Sequence, residues 1–300
     1  MGLRITDLGL SSSRMNWIGQ SESKVATAEQ QVATGRRINK ASDSPSESTR
    51  LLRYDQRLQR IAQFSRYADN AKLWVSTADQ ALQTGSTELQ RARTLVVQAG
   101  NDTLGPQERQ AIAADIRAVR DGLLATANTK ISGRAIFAGT AGSDSAYDGT
   151  GAYVGDTGDV IRTLDTNETV AVGYHGPAIF GAANTGDPMN GNVFEMLGAV
   201  ADAIENGDVA AMRSGITAID SASTRIGTVQ GRVGAATQQL DAASERQQTE
   251  QLSTQDNVSK IRDVDISEAV IQLRSAELSY DATLSATART LSRSLLDFLH

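Results

Sequence analysis

The chain has 300 residues, 4% aromatic, with no cysteine and a formal net charge of −6. The missing cysteines exclude disulfides and thiolate chemistry, and the acidic balance, with no basic stripe, argues against nucleic acid as a partner. No apolar run approaches the roughly 20 residues needed to span a bilayer, so no membrane segment is expected.

The N-terminal stretch MGLRITDLGLSSSRMNW has no continuous apolar h-region, and no cleavable secretory leader is expected from it. Leu8 and Met15 stand seven apart, as do Ile18, Val25 and Val32, which marks an amphipathic segment. It ends in GRRINKASDSP. Gly35 can adopt the left-handed conformation that stops a helix, and Arg36, Arg37 and Lys40 suit the negative end of the helix dipole. Ser44, Pro45 and Glu47 then form a start signal of capping-box type. The stretch reads as a compact joint between two helices.

A sustained heptad follows. Tyr54, Ile61, Ala68, Val75, Leu82, Leu89 and Val96 form one seam position, and Arg57, Phe64, Ala71, Ala78, Gly85, Ala92 and Ala99 the other. One is mostly large and the other mostly small, the pattern of a long coiled-coil helix with close neighbours. From Pro45 to Ala99 it would be roughly 80 Å long at 1.5 Å per residue. Pro106 opens a further helix carrying Ile112, Ile116, Val119 and Leu123, running to about Lys130.

The character changes between 140 and 190. Glycine becomes frequent, and Asp144, Asp148, Asp156, Asp159, Asp165, Glu168 and Asp187 face a single base, Arg162, so this segment alone nets −6. Val160 to Leu164 and Thr169 to Val172, separated by Asp165-Thr166-Asn167, predict a β-hairpin in a small insert. The Asp/Gly-rich run lacks the EF-hand order, so it is read as a solvated acidic loop. Helix resumes near Asn192, and a second long helix starts near Asp208 with Met212, Ile219, Ile226, Val233 and Leu240 stepping by seven. Asp265 and Glu268 form another capping candidate. Beyond them Leu284, Leu291 and Phe298 step by seven, with Leu295 four residues after Leu291. His175 and His300 are isolated and make no triad or metal cluster, so neither catalysis nor a cofactor is expected.

The expected fold is mainly α: a long antiparallel, coiled-coil-like bundle formed by the N- and C-terminal parts, with a small β-rich insert. The expected divisions are 1–44 with 264–300 (terminal amphipathic helices), 45–139 with 191–263 (long-helix bundle) and 140–190 (acidic insert). Neither terminal stripe can be covered by its own helix. Leu8, Met15, Ile18, Val25, Val32, Leu284, Leu291, Leu295 and Phe298 are therefore the candidate assembly residues. Burying one such side chain contributes about 1.5–3 kcal/mol, against about 1–2 kcal/mol per residue of backbone ordering, so lasting order is expected from contacts among copies.

Four segments, in this order, resemble the flagellins and flagellar hook-associated proteins: Gly35 to Pro45, Ile131 to Thr140, Val264 to Glu268, and Ser294 to Leu299. The resemblance covers roughly 1–140 and 190–300. Pro45, the run Ile136-Phe137-Ala138-Gly139-Thr140 and the ending Leu295 to Leu299 favour the branch of the family that joins hook to filament. The alternative is flagellin, the repeating filament subunit. The resemblance implies a structural protein of the bacterial flagellum, outside the cell, exported without a cleaved leader. It further implies a ring of self-copies, hook-associated protein 1 and flagellin as neighbours, and a cytoplasmic export chaperone on the C-terminal helix, about Ser267 to Leu299.

Overall fold

The computed structural model describes residues 3–101, 104–184 and 186–298, with side chains of the two terminal helices described from Ser12 and up to Arg289. In chain order the helices are α1 (Leu3–Thr34), α2 (Pro45–Ala99) and α3 (Pro106–Ala127), then α4 (Gly176–Phe180), α5 (Val193–Asn206), α6 (Val209–Arg262) and α7 (Ile266–Phe298). Between α3 and α4 lie β1 (Lys130–Ile131), β2 (Arg134–Ala135), β3 (Val160–Asp165) and β4 (Glu168–Gly173). The fold is the mainly helical bundle with a small β-rich insert that the sequence predicts. It divides into two compact units: one of residues up to Arg60 and from Thr249 onward, the other Ile61–Gln248.

The second unit is built on the heptads. Ile61, Ala68, Val75, Leu82, Leu89 and Val96 are all buried, as are Ala71, Ala78, Gly85, Ala92 and Ala99. On α6, Met212, Ile219, Ile226, Val233 and Leu240 are buried, together with a small-residue series that includes Gly215, Ala222 and Ala236. Small positions bring the backbones close. A Cβ at Gly215 would lie 2.6 Å from Val200 Cγ2, so α6 can approach α5 there only through glycine. The rims carry ion pairs: Lys72 to Asp241 at 2.9 Å and Arg93 to Asp220 at 2.8 Å. Arg117 of α3 reaches both Asp202 and Glu205 of α5, at 2.9 and 2.5 Å. Such exposed pairs fix register more than they add stability.

The insert has two antiparallel hairpins. β1 and β2 are joined by Ser132 and Gly133, both at positive φ, as a tight two-residue turn requires. β3 pairs with β4, with Arg162 opposite Val170. This second hairpin is fastened to the long helices: the Arg162 guanidinium lies 5.7 Å from the centre of the Trp74 ring. Gln247 Nε2 donates to Leu164 O at 2.8 Å, and Arg246 pairs with Glu168 at 2.6 Å. The insert's core is aromatic. Phe137, Tyr147, Phe180 and Phe194 meet with ring centroids 4.8–5.8 Å apart, so Phe194 of α5 belongs to the same cluster. Asn192, fully buried, caps α5 by accepting from Phe194 N and Glu195 N, and donates to Gly151 O at 3.0 Å. Glu195 returns the bond by accepting from Asn192 N, completing a capping box. The acids of the loop have local work: Asp148 accepts from Thr150 and Ala152, and Asp156 from Thr140 and Gly158.

Candidate assembly site: the terminal helix pair and its joint

In the first unit α1 packs along α7, antiparallel, since Ser21 meets Thr283 while Gly35 meets Val264. Its seam mixes small and polar groups with several larger apolar ones. Ala28 and Ala269 are buried, and Ile18, Ser21, Val25, Val32, Leu273, Ala276, Tyr280 and Thr283 are half-buried. Ser21 and Thr283 hydroxyls face one another at 3.5 Å. These short side chains leave open grooves. One of about 630 Å³ includes Ala28, Gln31, Ile271 and Ala276 in its walls, and one of about 400 Å³ includes Trp17, Thr283 and Thr287.

Other large apolar side chains stay largely in water. Met15 is 75% exposed, Leu278 72%, Ile271 68% and Trp17 60%. At 3.6 residues per turn, Ile271 and Leu278 fall on the face of α7 opposite Ala269, Ala276 and Thr283. Ile266, Leu284, Leu52 and Leu252 are also exposed.

Among the candidate assembly residues, then, Ile18, Val25 and Val32 lie on the face turned to α7, while Met15 and Leu284 are open. Leu8, Leu291, Leu295 and Phe298 belong to helices α1 and α7 but lie outside the described side chains. Trp17, Ile271 and Leu278 are exposed apolar residues outside the candidate set. The seven-residue step from Ile271 to Leu278 was the available signal.

The joint holds the two chain breaks together by main-chain bonds. Gly35, at φ +66°, donates from its N–H to Gln31 O at 2.9 Å and closes α1. Arg36 and Asp263 form an antiparallel bridge, flanked by Arg37 N to Arg262 O at 2.7 Å and Val264 N to Gly35 O at 3.0 Å. The Arg37 guanidinium donates to Glu47 at 3.0 Å and to Ile261 O at 2.7 Å, and so links the start of α2 to the end of α6. That hydrogen bond holds the Glu47 carboxyl below its ordinary pKa. Asp43 is likewise held low, by the N–H groups of Lys40 and Asn39.

Pro45 occupies the first position of α2, and Ser44 O accepts from Ser48 N at 2.8 Å. At the other break Asp265 accepts from Ser267 N at 2.8 Å and Glu268 N at 3.3 Å, while Glu268 turns to Gln272. Arg36 and Lys40 are exposed.

Comparison with known proteins returns the two ends of the chain separately. The model of the bacterial flagellin N-terminal helical region matches residues 5–142, and that of the C-terminal helical region matches 216–299. The chain belongs to the flagellin family.

Among flagellin-family relatives, flagellar hook-associated protein 3 of Salmonella typhimurium is 28% identical over 212 residues, spanning 68% of this chain and 67% of that protein. The Escherichia coli protein of the same name is 28% identical over 206 residues, 66% and 62% of the two chains. Flagellin of Salmonella rubislaw is 31% identical over only 107 residues, 36% of this chain and 22% of its own. A solved flagellar hook-associated protein from Vibrio parahaemolyticus superposes with a TM-score of 0.67 at 22% identity, covering 74% of this chain and all of its own. Bacillus cereus FlgL gives a TM-score of 0.60 at 22% identity over 69% of this chain and 99% of its own. At these identities the structures speak to the fold.

Proposed function

We infer that this flagellin-family chain is a structural protein of the bacterial flagellum that joins the hook to the filament. One observation carries the reading: the alignments to hook-associated protein 3 run over about two thirds of this chain, whereas the flagellin alignment covers 36% of it. This favours the junction over the repeating filament subunit.

The mechanism is assembly through the ends. The α1–α7 pair has a loosely buried seam and leaves Met15, Trp17, Ile271 and Leu278 in water. Copies arranged in a ring would cover those side chains, and the open grooves suit insertion of an apolar helix face. In that arrangement Leu8, Met15, Ile18, Val25, Val32, Leu284, Leu291, Leu295 and Phe298 lie at or beside contacts among copies. Hook-associated protein 1 is the neighbour toward the hook and flagellin the neighbour toward the filament. Before export a cytoplasmic chaperone covers the C-terminal helix. The protein works outside the cell without catalysis.

Immunogold labelling of intact flagella tests the reading. A single band between hook and filament is expected; label along the whole filament would assign the chain to the filament subunit instead.

A further inference from the structure

Away from the terminal helices, the second unit carries a cleft of about 470 Å³ between α6 and the segment leading into α5. Its walls are uneven in chemistry. Met189 and Met196 line one part; Ser214, Thr217 and Ser221 line another; Arg225 supplies a cation. Arg225 is half-buried, and its Nε is shut from solvent with no hydrogen-bond partner among the described residues. Burial pulls its pKa below the ordinary guanidinium value.

The carboxylates on the bordering elements are engaged elsewhere. Glu195 accepts from Asn184 N and Asn192 N, Asp187 from Asn190 Nδ2, and Asp220 pairs with Arg93. Among the described residues no acid pairs with Arg225. A desolvated guanidinium with no carboxylate partner is costly to keep, and the neighbour that favours its charge is the buried Tyr147 phenol, itself kept neutral by burial. Ser214, Thr217 and Ser221 donate their hydroxyls to Ala210 O, Arg213 O and Thr217 O of their own helix, so the guanidinium is the group that recognises a carboxylate, beside two thioethers that suit a short apolar stem, and the volume falls in the range of ligand pockets.

We propose that this cleft is a carboxylate-binding pocket anchored by Arg225, and that in the assembled flagellum it receives an aspartate or glutamate side chain of an adjoining protein chain. The second half rests on the flagellar reading; the first does not. The acidic character of the insert, with Asp144 and Asp159 exposed, supplies a complementary surface on any neighbouring copy.

Succinate titrated into the full chain at constant ionic strength, followed by amide and Arg Nε NMR signals, tests the pocket. Saturable shifts at Ser214, Thr217, Ser221 and Arg225 are expected, weakened at least tenfold in Arg225→Gln and partly retained in Arg225→Lys. Equal responses in the wild type and Arg225→Gln, or the same shifts with chloride, would overturn it. Arg225→Gln is expected to melt no lower than the wild type, because it removes an unpaired charge. A clear loss of melting temperature would mark the arginine as part of the internal packing and count against the pocket.

Because the chain has no cysteine, a single Ser214→Cys variant reports on occupancy in place. Protection from thiol reagents in flagella but not in the isolated chain supports the adjoining side chain, and equal labelling in both states overturns that half. Absence of the variant from flagella, with succinate binding intact, would refute the flagellar reading and with it only the adjoining-chain half.

Discussion

The two units use apolar residues in opposite ways. In Ile61–Gln248 the large side chains of the heptads, Leu82, Leu89, Ile219, Ile226 and Leu240, lie within a continuous core, and charges stand at the rims. In the terminal pair Ala28 and Ala269 are buried, Ile18, Val25, Val32 and Leu273 only half-buried, and Met15, Trp17, Ile271 and Leu278 stay in water. The first arrangement is complete in one chain. The second leaves several large apolar groups on a surface that a single copy does not cover, as the proposed assembly through the ends requires. A coiled-coil period alone does not separate the two cases; what separates them is which residues occupy the buried positions.

Substitutions should divide along the same line. Leu89→Ala, which empties a fully buried position, is expected to cost about 2–5 kcal/mol in urea unfolding. A cost below 1 kcal/mol would mean that the long-helix core is far looser than its burial indicates. Asn192→Ala removes both cap bonds to α5 and the bond to Gly151 O. A loss of about 1–2 kcal/mol is expected, read out as earlier melting of the insert's aromatic signals.

By contrast, Ile271→Ser with Leu278→Ser should leave the isolated chain within about 0.5 kcal/mol of wild type, yet stop filament growth on the hook. Normal filaments from that double variant would remove the assembly role of this face.

The smallest effect concerns acid. Asp156 is held below the ordinary aspartate value of 3.8 by the Thr140 hydroxyl, Thr140 N and Gly158 N. Its folded pKa is depressed, so its contribution is present above the unfolded value and fades as pH falls through the folded one. Asp156→Asn should therefore flatten the pH dependence of insert stability below pH 3.8 and leave the slope at neutral pH unchanged. Unaltered acid unfolding would show that these bonds contribute nothing.

Where the sequence was informative, the buried face was also the greasy face. Leucine, valine and isoleucine every seven residues gave the course of α2 and α6, and Pro45 and Pro106 set helix starts. Asp165, Thr166 and Asn167 announced the β3–β4 turn. The terminal pair broke the same logic. On α7 the buried position is Ala269, and the half-buried Ala276 and Thr283 in line with it are too small or too polar to register as a stripe, so nothing set off Ile271 and Leu278 on the opposite side.

The bridge between Arg36 and Asp263 was out of reach for another reason. It joins main chains more than two hundred residues apart and leaves no side-chain signature. Asn192 was placed as a helix start, but its bond to Gly151 depends on a loop whose path the residues do not specify.

The bridge has a mechanical consequence. Because carbonyls and amides make the splice, drift of side chains at Arg262 and Val264 leaves it standing, while Gly35 has to keep its positive φ. It also denies α1 and α7 independent hinges. A load pulling on one end of the polypeptide is handed across to the other within a single residue or two of its own bend, so the two tails respond to twist as one lever.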